Sequence, residues 1–507
     1  MREGSSHAGP KRLLLAVIAL GTLLRLAMAA TVGLGVDESY AVVVARTPSW
    51  GYFDHPGLSF WIPGLLARAT GSENALLLRA PFILMFAGTT WLVFRLGEEL
   101  GGARAGAYAA LLLSIAPVFT VAAGGWVLPD GPLDLFMAAA VLCLVHAITV
   151  PAERATRWWL RAGLCAAFAA LSKYQAIFLP IGLVLFLATR RQSRRALSGP
   201  GPVAAAVIAA LGTVPTVVWN ASHGWASFAF QLGRGARGSE SGVVAMLENV
   251  GGQALYLLPW LWLPLVVVLA RQLRRGPTDP VRRLLCCMAA PPIAFFTLVS
   301  LGGNRGLPHW PMVGYLMLFP LLGDAVARRL AAGDRRTRRW LLGSIGAFGV
   351  VLAAAWSEAA IDWMQREAPT VFARGSPTAE MRDWTGARSR LAAFGVGQSH
   401  GPFVAAVKWT DAGKIGYALG PGVSVVCLCG SPHHFGYLVD QRALLGRDAV
   451  VVDHTPGSSG VTRVYAPYFA RIDSLPPIIV RQRGRPVLSI QAFFARRYRT
   501  LVPGSVR

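Results

Sequence analysis

The stretch that decides the fold is residues 13–40, LLLAVIALGTLLRLAMAATVGLGVDESY, in which a long apolar run is followed by two adjacent acids. Residues 13–35 can cross a bilayer, because a membrane helix needs about 20 apolar residues. Carboxylates are costly in hydrocarbon, so acids at the end of a membrane helix indicate a functional site. Alternatively, Asp37 and Glu38 cap the next helix by accepting hydrogen bonds from its free backbone N–H groups. The stretch therefore predicts a membrane protein with polar residues at one surface of the bilayer.

The composition of the whole chain also indicates a membrane protein. Of 507 residues, 54% are hydrophobic and only 15% are charged, whereas soluble proteins carry about 25% charged residues. A formal net charge of +24 would suit a nucleic-acid partner, but the arginines lie in short blocks between apolar runs. That distribution is typical of membrane topology, so we expect no nucleic-acid partner.

Apolar runs long enough to span a membrane occur about eleven times. They lie near residues 13–34, 80–97, 104–122, 131–149, 160–172, 175–189, 202–219, 252–270, 284–301, 311–327 and 340–357. The fifth and sixth runs are short and belong to one apolar stretch. If they form a single span, the count is ten, which is the main alternative. We expect a helix pair that turns at residues 172–174.

Four blocks of arginine discriminate between the two counts. The blocks are Arg154, Arg157 and Arg161; Arg190, Arg191, Arg194 and Arg195; Arg271, Arg274, Arg275, Arg282 and Arg283; and Arg328, Arg329, Arg335, Arg336, Arg338 and Arg339. With eleven spans all four lie on the side of the N-terminus, which the positive-inside rule makes cytoplasmic. Residues 35–79, 123–130, 220–251 and 302–310 are then outer loops of a membrane domain that ends at residue 357.

Residues 358–507 have shorter apolar runs and more turn residues, which predicts a soluble α/β domain on the outer face. Runs of strand length lie at residues 403–407, 423–428, 449–452, 462–465 and 478–480, and residues 411–419 are predicted to be helical. Cys427 and Cys429 lack CxxC spacing, so we expect neither a zinc site nor a redox motif. His433 and His434 are predicted to lie in a surface loop, with metal binding as the alternative.

Five short motifs fall on the outer face in this topology. They are the acidic pair, GYFDHP at residues 51–56, LPDGPL at 128–133, LSKY at 171–174 and PHWP at 308–311. In this order they resemble the bacterial relatives of protein O-mannosyltransferases, a group that includes the aminoarabinose transferase of lipid A. The resemblance covers roughly residues 10–330. It implies a glycosyltransferase of the C type (GT-C) in a bacterial inner membrane, with the N-terminus cytoplasmic and the C-terminal domain periplasmic.

The same resemblance implies a donor, an acceptor and a reaction. The donor is a sugar on a polyprenyl phosphate in the outer leaflet, and the acceptor is a hydroxyl of an envelope lipid, glycan or protein. The attack, usually with inversion, needs a carboxylate that accepts the proton. Asp37 matches the family's catalytic acid and is the candidate base, with Glu38 as the second choice. Asp130 matches a second outer acid, which could act as base, bind sugar hydroxyls or hold a cation, or be a turn residue.

The leaving phosphate needs positive charge or hydrogen-bond donors. Lys173, Arg305 and His309 are the candidates, although Lys173 could instead snorkel to the interface and Arg305 could be an ordinary interfacial residue. Tyr52, Asp54 and His55 form a predicted substrate loop, in which His55 contacts the sugar or a metal or is structural.

No cofactor is certain from these residues. A divalent metal held by His55, Glu38 and His309 is an open alternative, but no HExxH or HxxxH pattern supports it.

Two other functions remain as alternatives. A transporter or flippase of lipid-linked sugars would carry its substrate site near the midplane, between internal repeats, and no repeat is visible. A non-catalytic scaffold that binds glycans would not need acids in two outer loops.

Overall fold

The computed structural model describes residues 4–189, 197–234, 238, 241–276, 278–372, 376–455 and 460–505. The arginine block at residues 190–195 lies outside them. The chain divides into two compact units. The membrane unit contains Met1–Ala27, Trp50–Ser59 and Arg79–Leu352, and the sheet unit contains Met28–Ser49, Phe60–Leu78 and Ala353–Arg507.

Most of the described chain is helical. The helices are α1 Gly4–Thr31, α2 Val36–Ala45, α3 Leu58–Thr70, α4 Ala75–Ser114, α5 Asp130–Thr149, α6 Ala152–Ser172, α7 Phe178–Thr189, α8 Gly201–Leu211, α9 Val214–Ser222, α10 Ala226–Gly233, α11 Gly242–Leu257, α12 Pro259–Arg275, α13 Pro280–Leu298, α14 Met312–Leu316, α15 Phe319–Ala331, α16 Arg335–Ile361, α17 Met364–Glu367, α18 Ala387–Ala393, α19 Trp409–Leu419, α20 Phe435–Leu438 and α21 Val461–Tyr465.

Among the described residues, six helices are long and apolar enough to cross a membrane. A seventh span is added if α11 and α12, which meet at a bend of 110°, are one broken span. All eleven apolar runs fall largely on helical residues. The run at residues 80–97 and the larger part of the run at residues 104–122 lie in the 40-residue α4, which is interrupted at Gly101 and Gly102 by non-helical backbone. The multi-spanning helical architecture is therefore confirmed, and the count of eleven spans stays a prediction.

The sheet unit contains a five-stranded mixed sheet. Its strands are β1 Phe403–Ala406, β2 Val425–Cys427, β3 Ala449–Asp453, β4 Phe469–Gln482 and β5 Arg485–Tyr498, in the order β2-β1-β3-β5-β4. β1 is parallel to β2 and β3, and β5 is antiparallel to β3 and β4. The C-terminal α/β domain is thus confirmed.

One predicted strand is wrong and one strand was not predicted. Residues 462–465 lie in α21, where Val461 and Tyr465 are buried one helical turn apart, and a run this short does not reveal its period. The unpredicted β5 has exposed arginines at residues 496 and 497 before its last buried residue, and its longest apolar run, residues 492–495, is only four residues long.

The sheet unit also includes α2, which packs against α19. A Cβ on Gly413 would lie 3.0 Å from the Tyr40 backbone, and one on Gly416 would lie 3.0 Å from a Val43 methyl group. These distances are shorter than most Cβ contacts, so glycine at both positions favours the close approach of the two helices.

Candidate active site

The centre of the polar site in the membrane unit is an ion pair. Lys173 follows α6, and its Nζ donates to both carboxylate oxygens of Asp130 at 2.8 and 2.9 Å. Lys173 is 3% exposed, so it does not snorkel to solvent. The Asp130 side chain, at the start of α5, is 22% exposed. A buried ammonium needs a charged partner, and Asp130 supplies it.

Two partly buried histidines, His55 and His309, interact electrostatically with both Lys173 and Asp130. Two effects lower the pKa of His55 to about 3 and that of His309 to about 4. Burial is the larger effect, and the positive charge of Lys173 is the second. Both imidazoles are therefore neutral near pH 7 and can donate and accept hydrogen bonds. In the described structure Nδ1 of His55 is buried without a hydrogen-bond partner, while the His309 ring stacks on Tyr256.

The predicted substrate loop is a closed turn. Gly51 and Pro56 form an antiparallel bridge, and Gln231 of α10 donates to the Asp54 carbonyl oxygen at 2.6 Å. Tyr52 is 1% exposed and Asp54 is 7% exposed. Of the three predicted loop residues, His55 is thus the most accessible to a substrate.

Arg234, at the end of α10, is a further cation that was not singled out in the sequence. Its guanidinium lies 4.9 Å from the Trp310 ring centroid and 5.4 Å from that of Phe230. Its positive charge also contributes to the lowered pKa of both His55 and His309. Phe230 precedes it by one helical turn, and this aromatic–Arg spacing was the signal in the sequence.

Arg305, a predicted phosphate ligand, forms an ion pair with Glu248. Its Nε lies 2.7 Å from a carboxylate oxygen of Glu248, and both side chains are exposed. An exposed pair of this kind contributes little to stability, so it leaves the predicted phosphate role of Arg305 open.

In the sheet unit, the two adjacent acids have different surroundings. Glu38 is fully buried, and its Oε2 caps the start of α2 by accepting the backbone N–H of the N-cap residue Gly35 at 2.8 Å. The capping alternative therefore applies to Glu38. Asp37 is exposed on the first turn of the same helix, where the helix dipole favours a negative charge. Only Asp37 thus offers an accessible carboxylate.

Both ends of α2 are held by α19. The buried Lys414 donates to the carbonyl oxygens of Leu34 at 2.6 Å and Arg382 at 2.7 Å. At the other end, Arg46 donates to the Gly416 carbonyl oxygen at 3.0 Å. The orientation of the helix that carries Asp37 is thus fixed by the C-terminal domain.

His433 and His434 are packed, so the predicted surface loop is wrong. The backbone N–H of His434 donates to the Tyr40 hydroxyl at 3.0 Å, and His434 is 3% exposed. The His433 ring lies 4.5 Å from that of Trp409. Across the described ranges, no group of three or more His, Cys, Asp or Glu side chains could hold a metal ion.

The class of protein follows from this architecture and from two comparisons. Residues 54–219 match the family of dolichyl-phosphate-mannose-protein mannosyltransferases, and the chain has the fold of the GT-C glycosyltransferases. The resemblance to polyprenyl-phosphate-sugar glycosyltransferases that the motifs indicate is therefore confirmed.

Two solved structures of one protein resemble the chain over almost its whole length. ArnT from Cupriavidus metallidurans in the apo state has a TM-score of 0.63 at 16% identity, covering 96% of this chain and 98% of that chain. The same protein bound to undecaprenyl phosphate has a TM-score of 0.60 at 17% identity, covering 95% and 97%. No curated protein matches the chain. At this identity the structural likeness establishes the fold.

Proposed function

We propose that this protein transfers a sugar from a polyprenyl phosphate to a hydroxyl of an envelope acceptor at the outer face of a bacterial inner membrane. The observation that carries the proposal is the group formed by Asp130, Lys173, His55, His309 and Arg234 in the membrane unit. A second support is the fold, which ArnT bound to undecaprenyl phosphate shares.

The phosphate of the donor needs a cation that stays charged and in place as the sugar leaves. Lys173 supplies a point charge, and Asp130 holds it where it is. Arg234 adds a guanidinium that suits phosphate geometry. His55 and His309, being neutral, exchange hydrogen bonds with sugar or phosphate oxygens without adding charge.

The proposed general base is Asp37. As the acceptor oxygen attacks the anomeric carbon, the hydroxyl proton passes to the Asp37 carboxylate, and the bond between that carbon and the phosphate oxygen breaks. The electron pair leaves with the lipid phosphate, and the sugar inverts. The role rests on the match to the family's acid and on the exposure of this carboxylate.

The test compares Asp37→Asn with Asp440→Asn, because Asp440 is an exposed acid of the same unit that only caps a turn. Masses of envelope lipids and glycans are compared between deletion cells and cells that express each variant. We expect one sugar mass to be missing from the same molecule in the deletion and in Asp37→Asn, and present in Asp440→Asn. Membrane levels of both variants should be normal.

Two outcomes contradict the proposal. If Asp37→Asn and Asp130→Asn both transfer sugar at the normal rate, the site assignment is wrong. If lipid-linked precursors accumulate in the deletion but not in Asp37→Asn cells, the protein acts without this carboxylate and the transport alternative is favoured.

A further inference from the structure

Two thiols that the proposed reaction does not use lie close together in the sheet unit. Sγ of Cys427 and Sγ of Cys429 are 2.9 Å apart. A disulfide bond is about 2 Å long, so the two sulfurs are less than an ångström from bonding distance. The spacing of this pair is not CxxC, so the sequence alone does not favour a redox motif here.

The backbone explains why the two sulfurs face each other. Cys427 ends β2, and the strand pairing continues one residue further, since the Leu428 N–H donates to the Ala406 carbonyl oxygen at 2.9 Å. In an extended chain, residues two apart point to the same face. The Tyr465 hydroxyl donates to the Leu428 carbonyl oxygen, so the residue between the cysteines is held from both sides.

We propose that Cys427 and Cys429 are joined by a disulfide in the working protein. The outer side of a bacterial inner membrane is oxidising, and disulfides persist there. This inference rests on the proposed function, in which the sheet unit lies on the outer side of the membrane. The other four cysteines lie in membrane-unit helices at positions 143, 165, 286 and 287.

The oxidant is a protein of the thiol–disulfide exchange class. The thiolate of Cys429, the less buried of the two residues, attacks the oxidant's disulfide and forms a mixed disulfide. The Cys427 sulfur then attacks Cys429 and displaces the oxidant. Two thiols thereby lose two protons and two electrons, and the oxidant leaves as its dithiol.

The bond would fix the start of a segment that reaches α2. Residues 428–434 run from the cysteines to His434, whose N–H donates to the Tyr40 hydroxyl. Tyr40 lies one helical turn after Asp37 on α2. The disulfide therefore restricts the motion of a segment that supports the proposed base.

The test uses the full wild-type chain, because trypsin releases residues 415–442 as one peptide that contains these two cysteines and no others. Membranes are prepared in N-ethylmaleimide, and the chain is denatured and digested without reduction. We expect the peptide to carry no maleimide and to be two hydrogen atoms lighter than its dithiol form. After reduction it should take up two maleimides.

Two maleimides on the unreduced peptide would overturn the proposal. A Ser399→Cys variant then shows which premise failed, because Ser399 is exposed in the same unit. If a membrane-impermeant maleimide labels this cysteine in spheroplasts, the orientation holds and only the disulfide is wrong. If the reagent does not label this cysteine, the sheet unit is not on the outer side, and the orientation in the proposed function is wrong as well.

Discussion

At the scale of single residues, two neighbouring carboxylates at the start of α2 have different surroundings. Glu38 turns back to accept the Gly35 N–H, and Asp37 faces outward. A similar division separates the cations of the membrane unit: Lys173 is buried against Asp130, whereas Arg305 lies on the surface beside Glu248. In both cases two side chains of the same charge differ in their burial and in the groups they contact.

The capping role of Glu38 predicts how its substitutions differ. Glu38→Ala removes the acceptor of the Gly35 N–H and should lower the free energy of unfolding by about 1 kcal/mol. Glu38→Gln keeps a side-chain oxygen that can accept this hydrogen bond, so it should keep most of the stability. Thermal unfolding in detergent measures both. Equal destabilisation by Ala and Gln would mean that the charge of Glu38, rather than its cap, is what matters.

The two neutral histidines predict a pH dependence of stability. The unfolded chain takes up protons on His55 and His309 near pH 6.5, whereas the folded chain takes them up only near pH 3 and pH 4. Between these values the unfolded state binds more protons, so stability should fall as the pH falls from about 6.5 to 4.

The measurement is the melting temperature as a function of pH for the wild type and for His55→Gln with His309→Gln. The double variant should show a shallower decline below pH 6.5. An unchanged slope would show that other groups cause the acid sensitivity.

At the scale of elements, the contact of α2 with α19 links sequence-distant segments. Lys414 lies 380 positions after Leu34, whose carbonyl oxygen accepts its hydrogen bond. Residues 38–45 of α2 are all buried, and residues 40–45, YAVVVA, are apolar on every face of the helix, which indicates a position in a core. That signal was present in the sequence, but it does not tell which segment covers the helix.

Removing the Lys414 ammonium should impair transfer. Lys414→Met leaves the carbonyl oxygens of Leu34 and Arg382 without this donor, at a cost of about 2 kcal/mol. We expect the turn before Asp37 to loosen and kcat to fall at least tenfold, with KM little changed. Lys408→Met is the matched control, because Lys408 is an exposed lysine just before α19. Equal activity of both variants would refute a positioning role for Lys414.

A second change tests the helix contact itself. Gly413→Ala places a methyl group 3.0 Å from the Tyr40 backbone, so the helices must separate, and both stability and transfer should fall. Gly422→Ala, where a Cβ meets nothing within 4 Å, should have neither effect. Melting temperatures and transfer rates of the two variants decide between these results.

At the scale of the whole molecule, the units are not contiguous in sequence. The sheet unit takes in residues 28–49 and 60–78 as well as the C-terminal part, whereas composition alone suggested a boundary at residue 357. Local patterns predicted the membrane helices, β1, β2, β3 and α19, because periodicity and apolar length are local. They did not predict Arg234 or the partners of Lys173 and α2, because those pairings form only in the folded chain.

Truncation after residue 357 should therefore abolish transfer to every acceptor. The shortened chain keeps Asp37 but loses α19, Lys414 and the other residues that hold α2 in place. Product masses and membrane levels of the truncated chain measure this. A truncated protein that transfers sugar at a normal rate to a different acceptor would instead assign acceptor choice alone to the C-terminal domain.

The contact between α2 and α19 also has a consequence for biogenesis. The ribosome makes α2 early, and the lysine that holds the preceding turn comes 380 residues later. A nascent chain can insert its membrane helices before α19 has been made and can pack against α2. Maturation of the protein thus ends with the folding of its last segment, so under the proposed function an unfinished chain would not transfer sugar.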